Sequence, residues 1–286
     1  MRLRCGSHSV DLSTPVVMGV LNVTPDSFSD GGRFLAPQDA IAQARRMVEE
    51  GAAIVDIGGE STRPGAPAVD ADEELRRIRP VLEALAGRIG VPVSVDTSKP
   101  AVMKAALDLG AGMINDVRAL QAPGAIEALA KSGAGVCLMH MQGEPRTMQR
   151  EPRYLDVVDD VRKFLAGRVL ACEAGGIARE RITVDPGFGF GKALVHNLDL
   201  LRGLGRIAGL GLPVLVGLSR KSMIGTLLDR PVGERLYGSL ALATLAVVHG
   251  ARIVRAHEVA ATRDAVRIAA AVAQEQQSPP MRRDSP

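Results

Sequence analysis

Asp96, Asn115 and Asp185 each sit at the end of a short apolar run. An ionised carboxylate only accepts hydrogen bonds, whereas an asparagine amide both donates and accepts. Three such groups suit a flat heterocycle that carries several N–H groups and a ring carbonyl. Arg63, Arg220, Lys221, Arg255 and His257 also lie at run ends or in the loops just beyond them. Their cationic or protonatable heads suit an oxyanion such as phosphate. Asn22 ends the first such run. The residues alone imply a ligand with a polar ring at one end and an anion at the other. Singly, each has a plainer reading. Asp96 or Asp185 could cap the following helix, Arg220 or Arg255 could sit in surface ion pairs, Lys192 reads as a solvated loop charge, and Asn22 or Asn115 could satisfy loop backbone. Their convergence on one mouth carries the weight.

Convergence requires elements that bring these residues to one place. Eight apolar, β-branched runs recur along the chain: Val16–Val23, Ala53–Ile57, Pro92–Val95, Gly112–Asn115, Gly135–Leu138, Ile182–Val184, Pro213–Val216 and Arg252–Arg255. Helical patterns alternate with them: Asp39–Glu50, Glu73–Ala86, Ala101–Leu109, Ala125–Lys131, Tyr154–Ala174, Val195–Ile207, Gly233–Val248 and Thr262–Ala273. In the first, Ile41, Ala44, Met47 and Val48 fall at helical spacing. Pro80 is expected to kink or divide the second. Continuous apolar runs suit parallel strands buried on both faces. Right-handed crossovers close such a sheet into a (β/α)8 TIM barrel, an α/β fold whose active site lies where strands end. A doubly wound open sheet competes; the count of eight favours the barrel. Residues 1–13 are expected to form a short N-terminal hairpin over the barrel bottom, residues 14–273 the single barrel domain, and residues 274–286 a disordered tail.

Composition excludes other classes. The 286 residues are 46% hydrophobic and 23% charged, which is globular rather than disordered, coiled-coil or collagen-like. Aromatics are 2%, with no Trp, too few for a platform that stacks bases. A net charge of +3 from 35 basic and 32 acidic residues is too balanced for a polyanion binder. Cys5, Cys137 and Cys172 have neither metal-ligand spacing nor an even count, and read as reduced thiols of a cytoplasmic protein. No signal peptide is visible, and Leu240–Val248 falls short of the roughly 20 residues of a membrane span. Two motifs are decoys. Gly187–Lys192 lacks the phosphate-loop spacing, and Gly203-Leu204-Gly205-Arg206-Ile207-Ala208 follows a helical stretch, so it links that helix to the next strand. His8, His196 and His249 read as packing or solvent-facing, and His140 as a support for its loop.

Longer strings at these positions resemble the dihydropteroate synthase family: Val20–Gly32, Asp56–Gly65, Ser94–Pro100, Asp185–Lys192 and Gly217–Ser222. The similarity runs from about Leu12 to the end of the last helix. It implies a transferase of folate biosynthesis that condenses 6-hydroxymethyl-7,8-dihydropterin diphosphate with 4-aminobenzoate to 7,8-dihydropteroate and diphosphate. It further implies that Asp96, Asn115, Asp185 and Lys221 bind the pterin, and that Thr62, Arg63, Arg255 and His257 hold the diphosphate. Phe190, Lys221 and Ser222 would line the aminobenzoate site, and Asn22 would ligate Mg2+. Lys221, Arg255, His257 and Asp185 would carry the catalytic work, with Asp30 as a further charge stabiliser and the first two loops as lids. The family is cytoplasmic and homodimeric through its later helices, which puts a dimer surface on Gly233–Val248, although burial in the core would equally explain that segment. Two other readings compete: a methyltetrahydrofolate-dependent methyltransferase, which has no use for a diphosphate clamp, and a non-catalytic paralogue that binds a pterin or a partner protein.

Overall fold

The computed structural model describes residues 1–24, 36–61, 67–144, 147–149 and 151–275. Two antiparallel strands, β1 (Arg2–Cys5) and β2 (His8–Asp11), form the N-terminal hairpin. Eight parallel strands follow: β3 (Val16–Asn22), β4 (Ile54–Gly58), β5 (Val93–Asp96), β6 (Met113–Asp116), β7 (Gly135–Met139), β8 (Ile182–Asp185), β9 (Leu215–Gly217) and β10 (Ile253–Ala256). Their order is β8-β7-β6-β5-β4-β3-β10-β9. A single parallel bridge between Val184 and Val214, with Val184 N–H donating to Pro213 O at 3.0 Å, joins β8 to the β9 edge. The barrel closes there through a thin seam.

Helices alternate with the strands as α1 (Pro37–Glu49), α2 (Ala71–Leu85), α3 (Pro100–Asp108), α4 (Ala125–Ala130), α5 (Val157–Ala174), α6 (Leu194–Arg202), α7 (Leu204–Ala208), α8 (Ser222–Leu228), α9 (Leu236–Val248) and α10 (Val259–Glu275). Asp70 and Asp156 cap α2 and α5 by accepting first-turn N–H groups. Several boundaries differ from the sequence reading. Pro80 does not divide α2, whose apolar face of Ile78, Val81, Leu82 and Leu85 is buried along its length. The pattern over Val195–Ile207 is two helices that meet at Gly203, so the glycine string of residues 203–208 is itself largely helical. α8 was not foreseen: it is only 7 residues long and too short to show a helical period. α10 takes in Gln274 and Glu275, which had been assigned to the tail; residues 276–286 lie outside the described residues.

Two apolar shells hold this architecture. The larger lies between barrel and helices. The smaller fills the barrel bottom, where Met18, Ile54, Met113, Cys137, Leu215 and Ile253 meet Leu3, Cys5, Val10 and Leu12 of the hairpin. Gly6 N–H donates to Gly133 O at 2.9 Å and ties the hairpin turn to the loop before β7. The hairpin is thus a stopper, as its position in the sequence suggested. All three cysteines are buried free thiols, and burial raises the pKa of each, which disfavours the reactive thiolate. Among the described residues no helix is long and apolar enough to cross a membrane.

Candidate active site

Side chains alternate along a strand, so the barrel register decides which residues meet inside. Gly58 pairs with Asp96, Asp96 with Asn115, and Met139 with Asp185. Asp96 and Asn115 are cross-strand neighbours. Asp185 stands two residues beyond Thr183, which continues their row through Cys137. All three lie at or beside the C-terminal ends of their strands, and the charge of Arg255 acts on both Asp96 and Asp185. Neither Asp96 nor Asp185 serves as a helix cap, because Lys99 and Ala193 hold those positions before α3 and α6. The plainer reading applies one residue on from Asn115. Asp116 is fully buried and accepts from Arg118 N at 2.8 Å, Leu120 N at 2.7 Å and the Ser98 hydroxyl.

Arg255 lies across the interior. Its Nε donates to Asp56 Oδ2 at 2.7 Å and its Nη2 to Asp96 Oδ2 at 3.0 Å. The sequence reading grouped Arg255 with the anion-binding cations; here its guanidinium is turned down between two carboxylates. Burial alone discourages its charge, but Asp56 and Asp96 more than offset this and hold its pKa above the ordinary value. Burial lifts Asp96 to about 7, helped by repulsion from Asp56 and opposed by Arg255. Burial likewise lifts Asp185 to about 6, against the pull of the Gly187 N–H and the nearby cations. Lys221 is lowered to about 8 by burial, with Asp185 opposing. The floor therefore holds groups poised near neutrality, as functional sites commonly do.

Asp185 Oδ1 accepts from Gly187 N at 2.7 Å, which fixes the carboxylate against the loop after β8. The loop folds back on itself with Gly187 at φ 70° and Gly191 at φ 63°. A Cβ at either would strike a carbonyl oxygen, of His140 or of Gln142 respectively, so only glycine fits. Lys221 Nζ sits 4.2 Å from the Phe190 ring centroid, a cation–π contact that joins this loop to the one after β9. Lys192 corrects the sequence reading. It is not a solvated loop charge but is 2% exposed. Its Nζ donates to Gly187 O at 2.9 Å and Phe190 O at 3.0 Å and lies 3.0 Å from His140 Nδ1. Burial lowers Lys192 to about 7, and burial with the adjacent Lys192 lowers His140 to about 3. His140 is therefore neutral and accepts from the lysine at Nδ1.

At the rim, Ser219 Oγ lies 2.9 Å from His257 Nδ1, and Arg220 pairs with Glu258, its Nε donating to Oε1 at 2.8 Å. Arg220 thus matches its plainer reading as part of an ion pair. Ser222 is exposed at the start of α8. Asn22 is half-buried at the end of β3. Thr62, Arg63 and Asp30, with most of the two loops expected as lids, lie outside the described residues. Two features escaped sequence reasoning. Asp56 is fully buried inside β4, and its signal was a carboxylate in an otherwise apolar run. Lys99 bridges Glu60 and the fully buried Glu74, the latter at 2.6 Å, and so ties the loop after β5 to the base of the second loop and to α2. Only contacts distant in sequence reveal that bridge.

An enzyme of TIM-barrel type with a polar-ring site in its mouth is the class that this fold and site define. The family profile described as "Pterin binding enzyme" matches residues 18–257. The dihydropteroate synthase of Escherichia coli (strain K12) is 53% identical over 268 residues, covering 94% of this chain and 95% of that protein. The Xanthomonas albilineans dihydropteroate synthase with 4-aminobenzoic acid is 50% identical, with a TM-score of 0.89 over 97% of this chain and 99% of that one. The Burkholderia cenocepacia dihydropteroate synthase complexed with 7,8-dihydropteroate is 50% identical, with a TM-score of 0.87 over 97% and 98%. The chain belongs to the pterin-binding enzyme family and, within it, to the dihydropteroate synthases. Its activity is accordingly that of a transferase in folate synthesis.

Two expectations follow. A carboxylate accepts from ring N–H groups, whereas its protonated form loses that acceptor. Affinity for the uncharged 6-hydroxymethyl-7,8-dihydropterin should therefore be weak at low pH and rise as pH passes through about 6 and about 7, where Asp185 and Asp96 ionise. Calorimetric titration across pH checks this; Asp185→Asn should remove the lower inflection. Lys192→Met keeps the side-chain bulk but strips donors from buried carbonyls, and denaturant unfolding should record a loss of about 2–4 kcal/mol. Lys163→Met, at an exposed pair with Asp159, should stay within about 0.5 kcal/mol.

Proposed function

We propose that this chain condenses 6-hydroxymethyl-7,8-dihydropterin diphosphate with 4-aminobenzoate, giving 7,8-dihydropteroate and diphosphate. The observation that carries this reading is the gathering of Asp96, Asn115 and Asp185 at the C-terminal strand ends, with Lys221 acting on Asp185 and His257 at the rim. Acceptors and an amide at the floor fit the N–H groups and ring carbonyl of a pterin. His257 at the rim fits the diphosphate, a role it shares with Thr62 and Arg63, while Arg255, held by Asp56 and Asp96, lies beneath it. Phe190, Lys221 and Ser222 face the second substrate.

The chemistry needs no nucleophilic side chain. The bond from the pterin's methylene carbon to oxygen breaks, and its electron pair leaves with diphosphate. The electron-rich dihydropterin stabilises the positive methylene, and the carboxylates of Asp96 and Asp185 lower its energy electrostatically. The amine lone pair of 4-aminobenzoate forms the new C–N bond, and the nitrogen then gives up one proton to the departing diphosphate or to solvent. Positioning and exclusion of water govern the yield, since water would capture the same carbon.

Mg2+ suits this scheme. Asn22 Oδ1 lies beside Gly58, where a Cβ would stand 3.5 Å from it. Among the described residues no cluster of three or more His, Cys, Asp or Glu could hold a metal. A single amide oxygen at the mouth fits a hard ion that takes its remaining ligands from water and substrate phosphates. Asn22 would hold that ion, which supplies charge neutralisation at the leaving diphosphate. The chain works as a cytoplasmic homodimer. Tyr237, Leu245 and Val248 on α9 and Ile268 and Val272 on α10 are exposed apolar side chains on two helices that pack together, a surface that a second copy of the chain would cover.

Diphosphate release by the purified chain should require Mg2+ and should rise with 4-aminobenzoate, one pteroate forming per diphosphate released. Asn22→Ala should raise the Mg2+ concentration for half-maximal rate by about tenfold or more and leave dihydropterin binding unchanged. Diphosphate released with both substrates present but no 7,8-dihydropteroate formed would sink the reading. Sedimentation should give twice the chain mass, and Ile268→Glu should shift it toward the monomer.

A further inference from the structure

Asp56 is fully buried in β4, yet the reaction as set out gives it no task. One oxygen, Oδ2, accepts from Asn115 Nδ2 at 3.0 Å and from Arg255 Nε at 2.7 Å. The other, Oδ1, makes no hydrogen bond. A half-paired buried carboxylate is costly, and an apolar residue of similar volume would be the cheaper filler. Its presence calls for a reason beyond packing, and its two partners supply one.

A carboxylate can only accept. The Asn115 atom that meets it must therefore be the amide nitrogen, which turns the amide oxygen away from Asp56. Without such a partner, an asparagine amide can present either end. Asp56 thus selects which end of Asn115 is offered to a ring bound on the floor. The same oxygen pins Arg255 at Nε while Asp96 holds Nη2, so the guanidinium plane is fixed at two corners. We propose that Asp56 is a positioning residue, setting the donor–acceptor pattern that Asn115 shows the pterin and the depth at which Arg255 lies. The proposal rests on the pterin reading of the site.

The test is removal of the shared oxygen against its replacement. Asp56→Leu keeps the bulk but takes the acceptor away, so the Asn115 amide can turn over and Arg255 Nε loses its tether. Affinity for 6-hydroxymethyl-7,8-dihydropterin diphosphate, measured by calorimetry, should fall about tenfold to a hundredfold, the size of one buried hydrogen-bond mismatch, while the KM for 4-aminobenzoate stays within about twofold. Asp56→Asn is the conservative counterpart: its amide oxygen can take the place of Oδ2 and accept from both Asn115 Nδ2 and Arg255 Nε, with its NH2 where Oδ1 makes no hydrogen bond. It should keep pterin affinity to within about threefold of the parent. Full affinity in Asp56→Leu overturns the proposal. So does an equal loss in both variants when thermal unfolding shows both folded as the parent is. A parent chain that binds no pterin would instead overturn the reading of the site, leaving the two failures distinct.

Discussion

Everything at the centre of this barrel is arranged around a guanidinium shared by two carboxylates, one fully buried and one half-buried. Arg255 bridges Asp56 and Asp96, and so links β10 to β4 and β5 across the interior. Removing any one of the three would leave charge in a low-dielectric space, which costs several kcal/mol. The cluster therefore tolerates little variation, and it brings the elevated carboxylates of Asp96 and Asp185 with it. A site that must grip a neutral, N–H-rich ring needs acceptors in a dry place, and acceptors in a dry place need a cation to hold their charge. Arg255 supplies that cation, and Lys221 does the same beside Asp185.

Around this centre the loops are rigid where they touch the floor. Lys192 acts as an internal strut: its buried ammonium gathers carbonyls of the Gly187–Phe190 turn and the neutral ring of His140. Through that turn it sets Asp185, by the Gly187 N–H, and Phe190, which lies against Lys221. Lys99 does similar work on the opposite side with Glu60 and Glu74. Both lysines are tied to protein acceptors, while the Lys221 ammonium rests over the Phe190 ring.

The barrel was legible because its strands are buried on both faces and so appear as continuous apolar runs with polar ends. Those polar ends, read in order, gave the floor residues Asp96, Asn115 and Asp185 at once. Lys192 was misjudged because a lysine in a glycine-rich loop looks solvated until the fold over it is known. Asp56 was passed over because it lies inside a strand and not at its end. Its partners are 59 and 199 residues away in sequence, and no local pattern predicts such contacts. The split at Gly203 and the short α8 were missed because helices of 5 to 9 residues barely complete two turns.

Among the described residues the hairpin closes the lower end of the barrel, with Leu3, Leu12 and their neighbours packed across it. Reactants and products therefore trade places at the strand ends above, and a group lodged deep in the barrel is boxed in by whatever rests over it. Two short strands on the far side of the molecule thus shape the traffic through its mouth.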